Sequence, residues 1–376
     1  MSKKNIVHIT LGKANPERQN GVNRVVYNLA TSQAREGHKV AVWGITKNPI
    51  VNFKRREFET ILFLDERNKF ELTVGLRRAI ERAPRDTVFH LHGAFLPQLY
   101  SVSKHLVKNK HEYIYTPHGA FNGVAMKRSF FKKKIYSFFF EKFIVNHARF
   151  VQAIGHSEIT GTFNMFGMDI RVELIPNGQK VKCIKLIDFI GKDESVQFGF
   201  VGRLDVQTKG LDLLIQGFSD FIANYEQAAK LHIVGDGPDK DKLISLIQGL
   251  NLVDHVEMHG ALFGEKKDAV LESLHYLCLT SRNEGLPGVV LEALASSVPC
   301  IVSKETNMGD YIDQSNSGYC LKENTRQEIS EILTRASEEL RNISYIDKTR
   351  NARELVLSTF KWEEISNQLI QKFYAT

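Results

Sequence analysis

The sequence predicts an α/β protein of two domains, each built on a parallel sheet flanked by helices. Three observations predict it. Short β-branched or apolar runs alternate with longer amphipathic ones along the chain, the pattern of stacked βαβ units. The alternation stops and restarts once, near the middle. The length, 376 residues, exceeds what one core ordinarily organises, since single cores stop growing below roughly 300 residues.

The first series of strands reads NIVHIT, HKVAVWGI, TILFLD, TVFHLHG, EYIYTPHG, RFVQAIG and VELIPNG. The second reads VQFGFVGR, KLHIVGDG, HVEMHG, YLCLTS, PCIVS and SGYCL. Helical stretches lie between them. In VNRVVYNLATSQAREG, Val22, Val25, Val26 and Leu29 recur at helical spacing and Gly37 is placed to end the helix. Pro176, Asn177 and Gly178 break the first series ahead of a loosely patterned segment, which sets the domain boundary near residue 178. Residues 325–376 read as helices, and Phe360, Trp362, Ile365, Leu369, Ile370 and Phe373 fall roughly on one face.

With 43% hydrophobic and 25% charged residues the chain is expected to be globular rather than disordered. The opening MSKKNIVHIT has too brief an apolar run for a signal peptide, and no stretch approaches the roughly 20 apolar residues that span a bilayer. A cytoplasmic protein is expected. Cys183, Cys278, Cys300 and Cys320 are scattered in apolar settings with no zinc-like spacing, as reduced core residues would be. The net charge of +7 suits nucleic acid, an anionic membrane or a phosphorylated substrate, and its location must decide among them.

Open parallel sheets bind ligands beyond the carboxyl ends of their strands, so the turns after strands are where chemistry is sought. After VQFGFV come Gly202 and Arg203, with Lys209 six positions later and Gly210 opening the helix LDLLIQGF. A guanidinium fork and a lysine point charge at a helix start suit a diphosphate; the plainer alternative is a solvated basic loop. In HIVGDGPDKDKL, Gly235 and Gly237 would let a ligand approach backbone amides, with Pro238 at the first helical position. A dinucleotide fingerprint would need a third glycine, which Asp239 to Lys242 do not supply. Asp239 and Asp241 suggest a metal, although the positive end of a helix dipole accounts for them more simply.

The densest constellation is SRNEGLPGVVLEALA. Glu284 stands in a loop after a strand and Glu292 lies eight residues on, about two turns, inside a helix starting near Pro287, so both carboxylates can serve one bound molecule. Gly288, Val289 and Val290 offer free amides at that helix start, suited to a phosphate. Taken singly, Glu284 reads as a solvated carboxylate and Glu292 as a salt-bridge partner. Their packaging with Gly285, Pro287 and Gly288 favours a site.

VGRLDVQTKGLDLLI, IVGDGP and NEGLPGVVLEALA, in that order and with PNG at the domain junction, resemble the retaining GT-B glycosyltransferases of the large family known as glycosyl transferases group 1. The likeness spans nearly the whole chain. It implies two Rossmann-like domains facing across a cleft: an acceptor-binding one over 1–177 and a nucleotide-sugar-binding one over 178–355, with a terminal helix, 356–376, crossing back to the first. Carried over by position, Arg203 and Lys209 would bind the donor diphosphate, Glu284 hydroxyls of the transferred sugar and Glu292 the ribose. The nucleobase would lie near the turn after HVEMHG, at Ala261, Leu262 and Phe263. Neither a cofactor nor a metal would be needed, because the two cations and helix amides stabilise the leaving diphosphate.

In the first domain KANPERQNGVNR takes the place of the family's glycine-rich loop. Asn20 stands where a second glycine is common, and Gly21 is the match. TPHGAF supplies His118, which the resemblance assigns to the reacting sugar; alone, it reads as an ordinary core or loop histidine. His90 and His92 share a strand face and would suggest a metal, but no third ligand is apparent. His92 is placed at the border of the acceptor cleft.

The positive charge concentrates in residues 126–150, where Lys127, Arg128, Lys132, Lys133, Lys134 and Lys142 interleave with Phe130, Phe131, Phe138, Phe139, Phe140 and Phe143. That mixture suits an anionic membrane surface, or else a core helix with a solvated basic face. The expected activity is transfer of a hexosyl unit, with retention, from a nucleotide-sugar donor, uridine ahead of guanosine. The expected acceptor is a lipid-linked glycan of bacterial O-antigen, capsule or exopolysaccharide assembly, at the inner face of the membrane. A small soluble acceptor is the alternative within the enzyme reading. A nucleic-acid-binding protein using residues 126–150 is the alternative of another class, though no recognised module organises that stretch. The incomplete glycine fingerprint counts against a dinucleotide-dependent oxidoreductase.

Overall fold

The computed structural model describes residues 3–15, 21–123, 126, 130–181, 195–225 and 228–374. Asn20, Lys127, Arg128, Cys183 and most of the segment after Gly178 lie outside the described residues. The chain divides into two compact units, 1–178 with 362–376, and 179–361.

The first unit holds a seven-stranded sheet of β1 (Asn5–Leu11), β2 (Lys39–Thr46), β3 (Glu59–Leu64), β4 (Val88–His92), β5 (Tyr113–Thr116), β6 (Phe150–Ala153) and β7 (Val172–Leu174). Its order is β3-β2-β1-β4-β5-β6-β7, and every pairing is parallel. The second unit holds a six-stranded parallel sheet of β8 (Val196–Val201), β9 (Ala229–Val234), β10 (Val256–Gly260), β11 (Tyr276–Leu279), β12 (Cys300–Ser303) and β13 (Gly318–Leu321), in the order β10-β9-β8-β11-β12-β13. All thirteen strands read from the sequence are present. Their near-continuous apolar composition reflects burial on both faces, as in β4, β5, β11 and β12, where every residue is buried.

In both sheets the strand order reverses beside the first strand of the unit, between β1 and β4 and between β8 and β11. Loops leaving two adjacent strands at such a point emerge to opposite sides and leave a crevice for a ligand.

The helix Gly21–Arg35 buries Val26, Leu29 and Ala30, and Gly37 ends the turn beyond it at φ +87°. The last helix, Trp362–Tyr374, packs its Trp362, Ile365, Leu369, Ile370 and Phe373 into the first unit's core beside Val26 and Leu29. Phe360 departs from the expected helix face. It lies in the second unit's core with its ring centroid 5.0 Å from that of Tyr311, so the chain leaves that unit after Lys361 rather than at 355. Cys278 and Cys300 are buried free thiols and Cys320 is half-buried.

Candidate functional site

In the second unit the loops after β8 and β11 carry the two motifs that sequence spacing singled out. Beyond β8, the amide of Gly202 is tied to the Val234 carbonyl (2.9 Å), and Arg203 points outward, exposed, with no ion pair among the described residues. Asp205 caps the short helix Val206–Lys209 through the Thr208 amide (3.1 Å). Gly210 then turns the chain into the helix Leu211–Asn224 at φ +63°. A Cβ there would stand 2.1 Å from the Thr280 carbonyl oxygen, so only glycine lets this turn press against the end of β11.

That contact brings Lys209 to Glu284, 75 positions away in the chain: the ammonium and the carboxylate form an ion pair, each about four-fifths buried. Ser281 donates to the same carboxylate oxygen (2.9 Å). Asn307, through its amide nitrogen, holds the carbonyls of Glu284 and Gly285 (2.8 Å each). Sequence reasoning missed Arg282. Its guanidinium donates to both oxygens of Asp212 (2.8 and 2.9 Å) and to the Val206 carbonyl (2.8 Å), while its amide donates to the Thr208 carbonyl (2.8 Å). Burial alone would raise the Asp212 pKa, but the Arg282 hydrogen bonds and charge outweigh it and hold the carboxylate below its usual range. Arg282 thus fastens the Lys209 turn to the Glu284 loop.

The helix Gly288–Ala295 starts just past this loop, with Pro287 at its N-cap. Among the described residues no acceptor sits on the amides of Gly288 and Val289, so both are available to an anion. Val290 differs from expectation: its amide donates to the Pro287 carbonyl (3.1 Å) and its side chain is buried. Glu292, further along this helix, pairs with Lys267 (2.5 Å) from the helix Gly264–Ser273, a partner no local spacing announced. At the start of that helix Leu262 is half-buried against the core, whereas Phe263 is 62% exposed.

Gly235 and Gly237 bring two turns into backbone contact. Cβ atoms on them would lie 1.8 Å from the Gly202 oxygen and 2.3 Å from the Leu204 oxygen, so the backbones of the two turns pack directly on one another. Asp239 does not cap the following helix, which begins at Lys240 rather than at Pro238; its carboxylate accepts from the Val206 amide (2.7 Å) and steadies the Arg203–Lys209 turn instead.

In the first unit, His118 sits just after β5 at φ +56°. Its Nε2 lies 3.1 Å from His92 Nδ1, His92 Nε2 lies 2.9 Å from His8 Nδ1, and His8 Nε2 lies 2.7 Å from Gln33 Oε1. With the Gln33 oxygen as acceptor, each histidine in the row carries its proton on Nε2, which leaves the Nδ1 of His118 as a lone pair. His90, the register partner of His8, bonds to Thr116 (2.6 Å), which donates to Gln152 (2.7 Å). Burial lowers the pKa of His8 and of His118 to about 4, and pushes His90 and His92 down as well, helped by their histidine neighbours. The row is neutral at pH 7.

Two expectations are corrected here. A third histidine, His8, does stand beside His90 and His92, with ring nitrogens of all three within 4.8 Å. It is invisible to spacing because it comes from β1. His92 does not border solvent; it is buried and reaches outward only through His118. Glu158, also unnoticed, accepts from the amides of Gly119 (2.6 Å) and Ile154 (3.1 Å) and so holds the turn that carries His118. Gly21 opens the helix Gly21–Arg35, exposed, with open space where a side chain would be. Near it, Leu11, Gly12, Asn23, Thr46 and Asp65 line a hollow at the carboxyl ends of β1, β2 and β3.

The basic aromatic stretch folds as a helix, Phe130–Tyr136, a π-helical turn, Ser137–Glu141, and a second helix, Lys142–His147. The aromatics divide. Tyr136, Phe140 and Phe143 turn inward; Phe140 meets Phe70 and Tyr100 at 4.8 and 5.1 Å between ring centroids. Glu141 is buried against the Tyr115 hydroxyl and the Phe95 amide (3.2 Å), and burial lifts its pKa to about 7. Phe131, Ile135, Phe138 and Phe139 are 61–79% exposed, beside exposed Lys132, Lys134 and Lys142. Among the described residues, no helix is long and apolar enough to cross a membrane.

Residues 186–353 match the family described as Glycosyl transferases group 1, and residues 19–180 match Glycosyltransferase Family 4. The poly(ribitol-phosphate) alpha-N-acetylglucosaminyltransferase of Staphylococcus aureus strain COL is 28% identical over 178 residues, 46% of this chain and 34% of that protein. The lipopolysaccharide 1,6-galactosyltransferase of Escherichia coli K12 is 34% identical over 111 residues, 29% of this chain and 30% of that protein. The chain thus spans about a third of the length of these two relatives. Among solved structures, Anabaena HepE in complex with UDP and glucose superposes with a TM-score of 0.70 at 15% identity, covering 98% of both chains.

Proposed function

We propose that this chain, which belongs to the GT-B glycosyltransferases of group 1, moves a hexosyl unit with retention from a UDP-sugar to a lipid-linked glycan acceptor of bacterial surface polysaccharide assembly. The observation that carries the reading is the meeting of Lys209 with Glu284 ahead of the open amides of Gly288 and Val289, on a loop pair that also carries Arg203, exposed and without an ion pair among the described residues.

Lys209 has three N–H donors, so it can keep Glu284 while offering a proton to a phosphate oxygen. Arg203 and the two amides complete a cradle for the diphosphate, and no metal is invoked to neutralise it. Glu284, fixed by Ser281 and Lys209, accepts from hydroxyls of the transferred sugar, and Glu292 from those of the ribose. Phe263 and Leu262 offer the base an apolar surface. As the sugar leaves through an oxocarbenium-like transition state, charge grows on the departing oxygen where the cations and amides are already aimed. That oxygen takes the acceptor's proton. In the first unit, His118 attends the reacting sugar with its Nδ1 lone pair, its orientation set by His92.

The uridine preference draws on HepE, a UDP-bound protein of like fold, and the glycan acceptor on relatives named for glycosyl transfer to poly(ribitol-phosphate) and to lipopolysaccharide. The lipid-linked acceptor draws on the exposed Phe131, Ile135, Phe138 and Phe139 among lysines, which suits shallow insertion into an anionic bilayer. A panel of nucleotide sugars, read by thermal stabilisation and hydrolysis, should single out a UDP-hexose. Stabilisation by GDP-sugars alone would refute the donor, and a product with inverted anomeric configuration would refute retention. Flotation with anionic vesicles should recover the protein, and Phe131→Ser with Phe138→Ser should abolish recovery. Wild-type protein that stays unbound removes the membrane from the proposal and leaves a small soluble acceptor.

A further inference from the structure

We propose that the second unit carries a binding site for a late first-row divalent cation, zinc above all, formed by His232 on β9 with Glu257 and His259 on β10. This site is separate from the groups assigned to the sugar donor.

Register makes it. His232 and Glu257 are paired directly across the two strands, so they share a face of the sheet. A bulge between Met258 and Gly260 sets His259 apart from the regular ladder, at a position where bulges re-aim side chains. The result is that His232 Nδ1 lies 2.9 Å from His259 Nε2 and 3.5 Å from a Glu257 oxygen, with one ligand atom from each residue inside a 4.8 Å span. Two imidazoles and a carboxylate form the donor set of open tetrahedral zinc sites, whose ligand atoms stand roughly 3.3 Å apart when each is about 2.0–2.1 Å from the metal. A few tenths of an ångström of opening between the two rings meets that geometry, and both rings are partly exposed.

The surroundings already select the ligand form of His232. Gln197 spends its amide nitrogen on the Ser195 carbonyl (2.8 Å) and turns its oxygen to His232 Nε2 (2.7 Å). The proton of His232 is therefore on Nε2, and its Nδ1 lone pair faces the other two ligands. Such an outer partner fixing the tautomer is what metal-bound histidines ordinarily have. The other oxygen of Glu257 lies 3.5 Å from His259 Nδ1, placed to accept from that nitrogen once the His259 proton moves from Nε2 to Nδ1, so the carboxylate keeps its charge.

The histidine row of the first unit makes the contrast. His8, His90 and His92 are buried with no carboxylate among them, and the nitrogens of His8 and His92 are committed to one another, to Gln33 and to His118. Placing a dication there would leave its charge uncompensated in a dry interior. Glu257, 59% exposed, gives the β9–β10 site both a countercharge and an entry path.

The test is calorimetric titration of zinc into chelator-stripped full-length protein without a histidine tag, in the absence of any sugar nucleotide, with cobalt as an optical probe. One equivalent should bind, and cobalt should give the intense visible bands of a four-coordinate ion. Affinity should fall at least 100-fold in His259→Ala and about 10-fold in Gln197→Ala, which keeps all three ligands. Glu257→Gln, at an exposed position that leaves folding intact, should weaken binding while its melting temperature stays at the wild-type value. No zinc binding by the wild type, or equal binding by a folded His232→Ala/His259→Ala variant, overturns the proposal. Neither result bears on glycosyl transfer.

Discussion

The two units hold their polar groups by opposite means. In the second, the notable side chains are charged and held in mostly buried ion pairs: Lys209 with Glu284, Lys267 with Glu292 and Arg282 with Asp212. In the first, they are buried and neutral: His118, His92 and His8 in a hydrogen-bonded row, with Glu141 and Glu158 pushed toward their protonated forms at a pKa of about 7. A charged pair that still touches solvent keeps donors and lone pairs to offer an incoming ligand. A buried neutral row cannot change partners without stranding a donor, so it holds a geometry instead. The proposed function gives binding to the charged pairs and positioning to the row.

The sharpest way to break this contrast is to remove the cations. Arg203→Ala and Lys209→Ala should each lower turnover by about 100-fold or more, the usual loss when one stabiliser of a developing anion is deleted. The melting temperature of Arg203→Ala should stay close to wild type, because Arg203 is exposed, whereas Lys209→Ala leaves the mostly buried Glu284 carboxylate without its cation and should melt lower. Near-normal turnover in both folded variants would end the assignment of the diphosphate site.

His92→Phe asks the converse question. Deleting the middle of the row leaves His118 Nε2 and His8 Nδ1 without their partner, at an expected cost of about 1–3 kcal/mol. Stability should fall more than in Arg203→Ala, and turnover less. Denaturant unfolding of both variants beside their rates checks the ranking, and the reverse order would show that the histidines act chemically.

The same contrast explains what could be read in the sequence. The thirteen strands were legible because each is a short apolar run bounded by turn residues, a local signal. Arg203, Lys209, Glu284 and the start of the helix at Gly288 were legible because they fall in the loops that follow strands, ahead of or at the next helix start. Their partners were not. Arg282 meets Asp212 across 70 positions and Lys267 meets Glu292 across 25, distances over which no periodicity carries. His8 joins His92 only because β1 lies beside β4, a fact of strand order rather than of spacing. Gly235 and Gly237 stand where one backbone rests on another, a contact that the sequence does not announce. A glycine's missing Cβ is visible in sequence; what fills the space is not.

The smallest effect expected is one of pH. The folded pKa of His118 is about 4, below the ordinary histidine value of about 6.5, so between those values the unfolded chain binds a proton that the folded one does not. The row's contribution is therefore complete above about pH 6.5 and is lost as pH falls toward 4. Glu141 and Glu158 act with the opposite sign: raised to about 7, they keep a proton that the unfolded chain releases, and their effect on stability worsens as pH rises from about 4.5 to 7. The wild-type slope is the difference of the two, so a single melting curve against pH does not isolate the histidine. A variant does. His118→Asn removes one titrating ring while leaving both glutamates, and relative to wild type it should gain on the order of 1 kcal/mol on going from pH 7.5 to pH 5. Paired unfolding measurements at those two values would show it. An unchanged gap between the proteins would mean that His118 is protonated as readily in the folded state as in the unfolded one, and that the neutral row ends at His92.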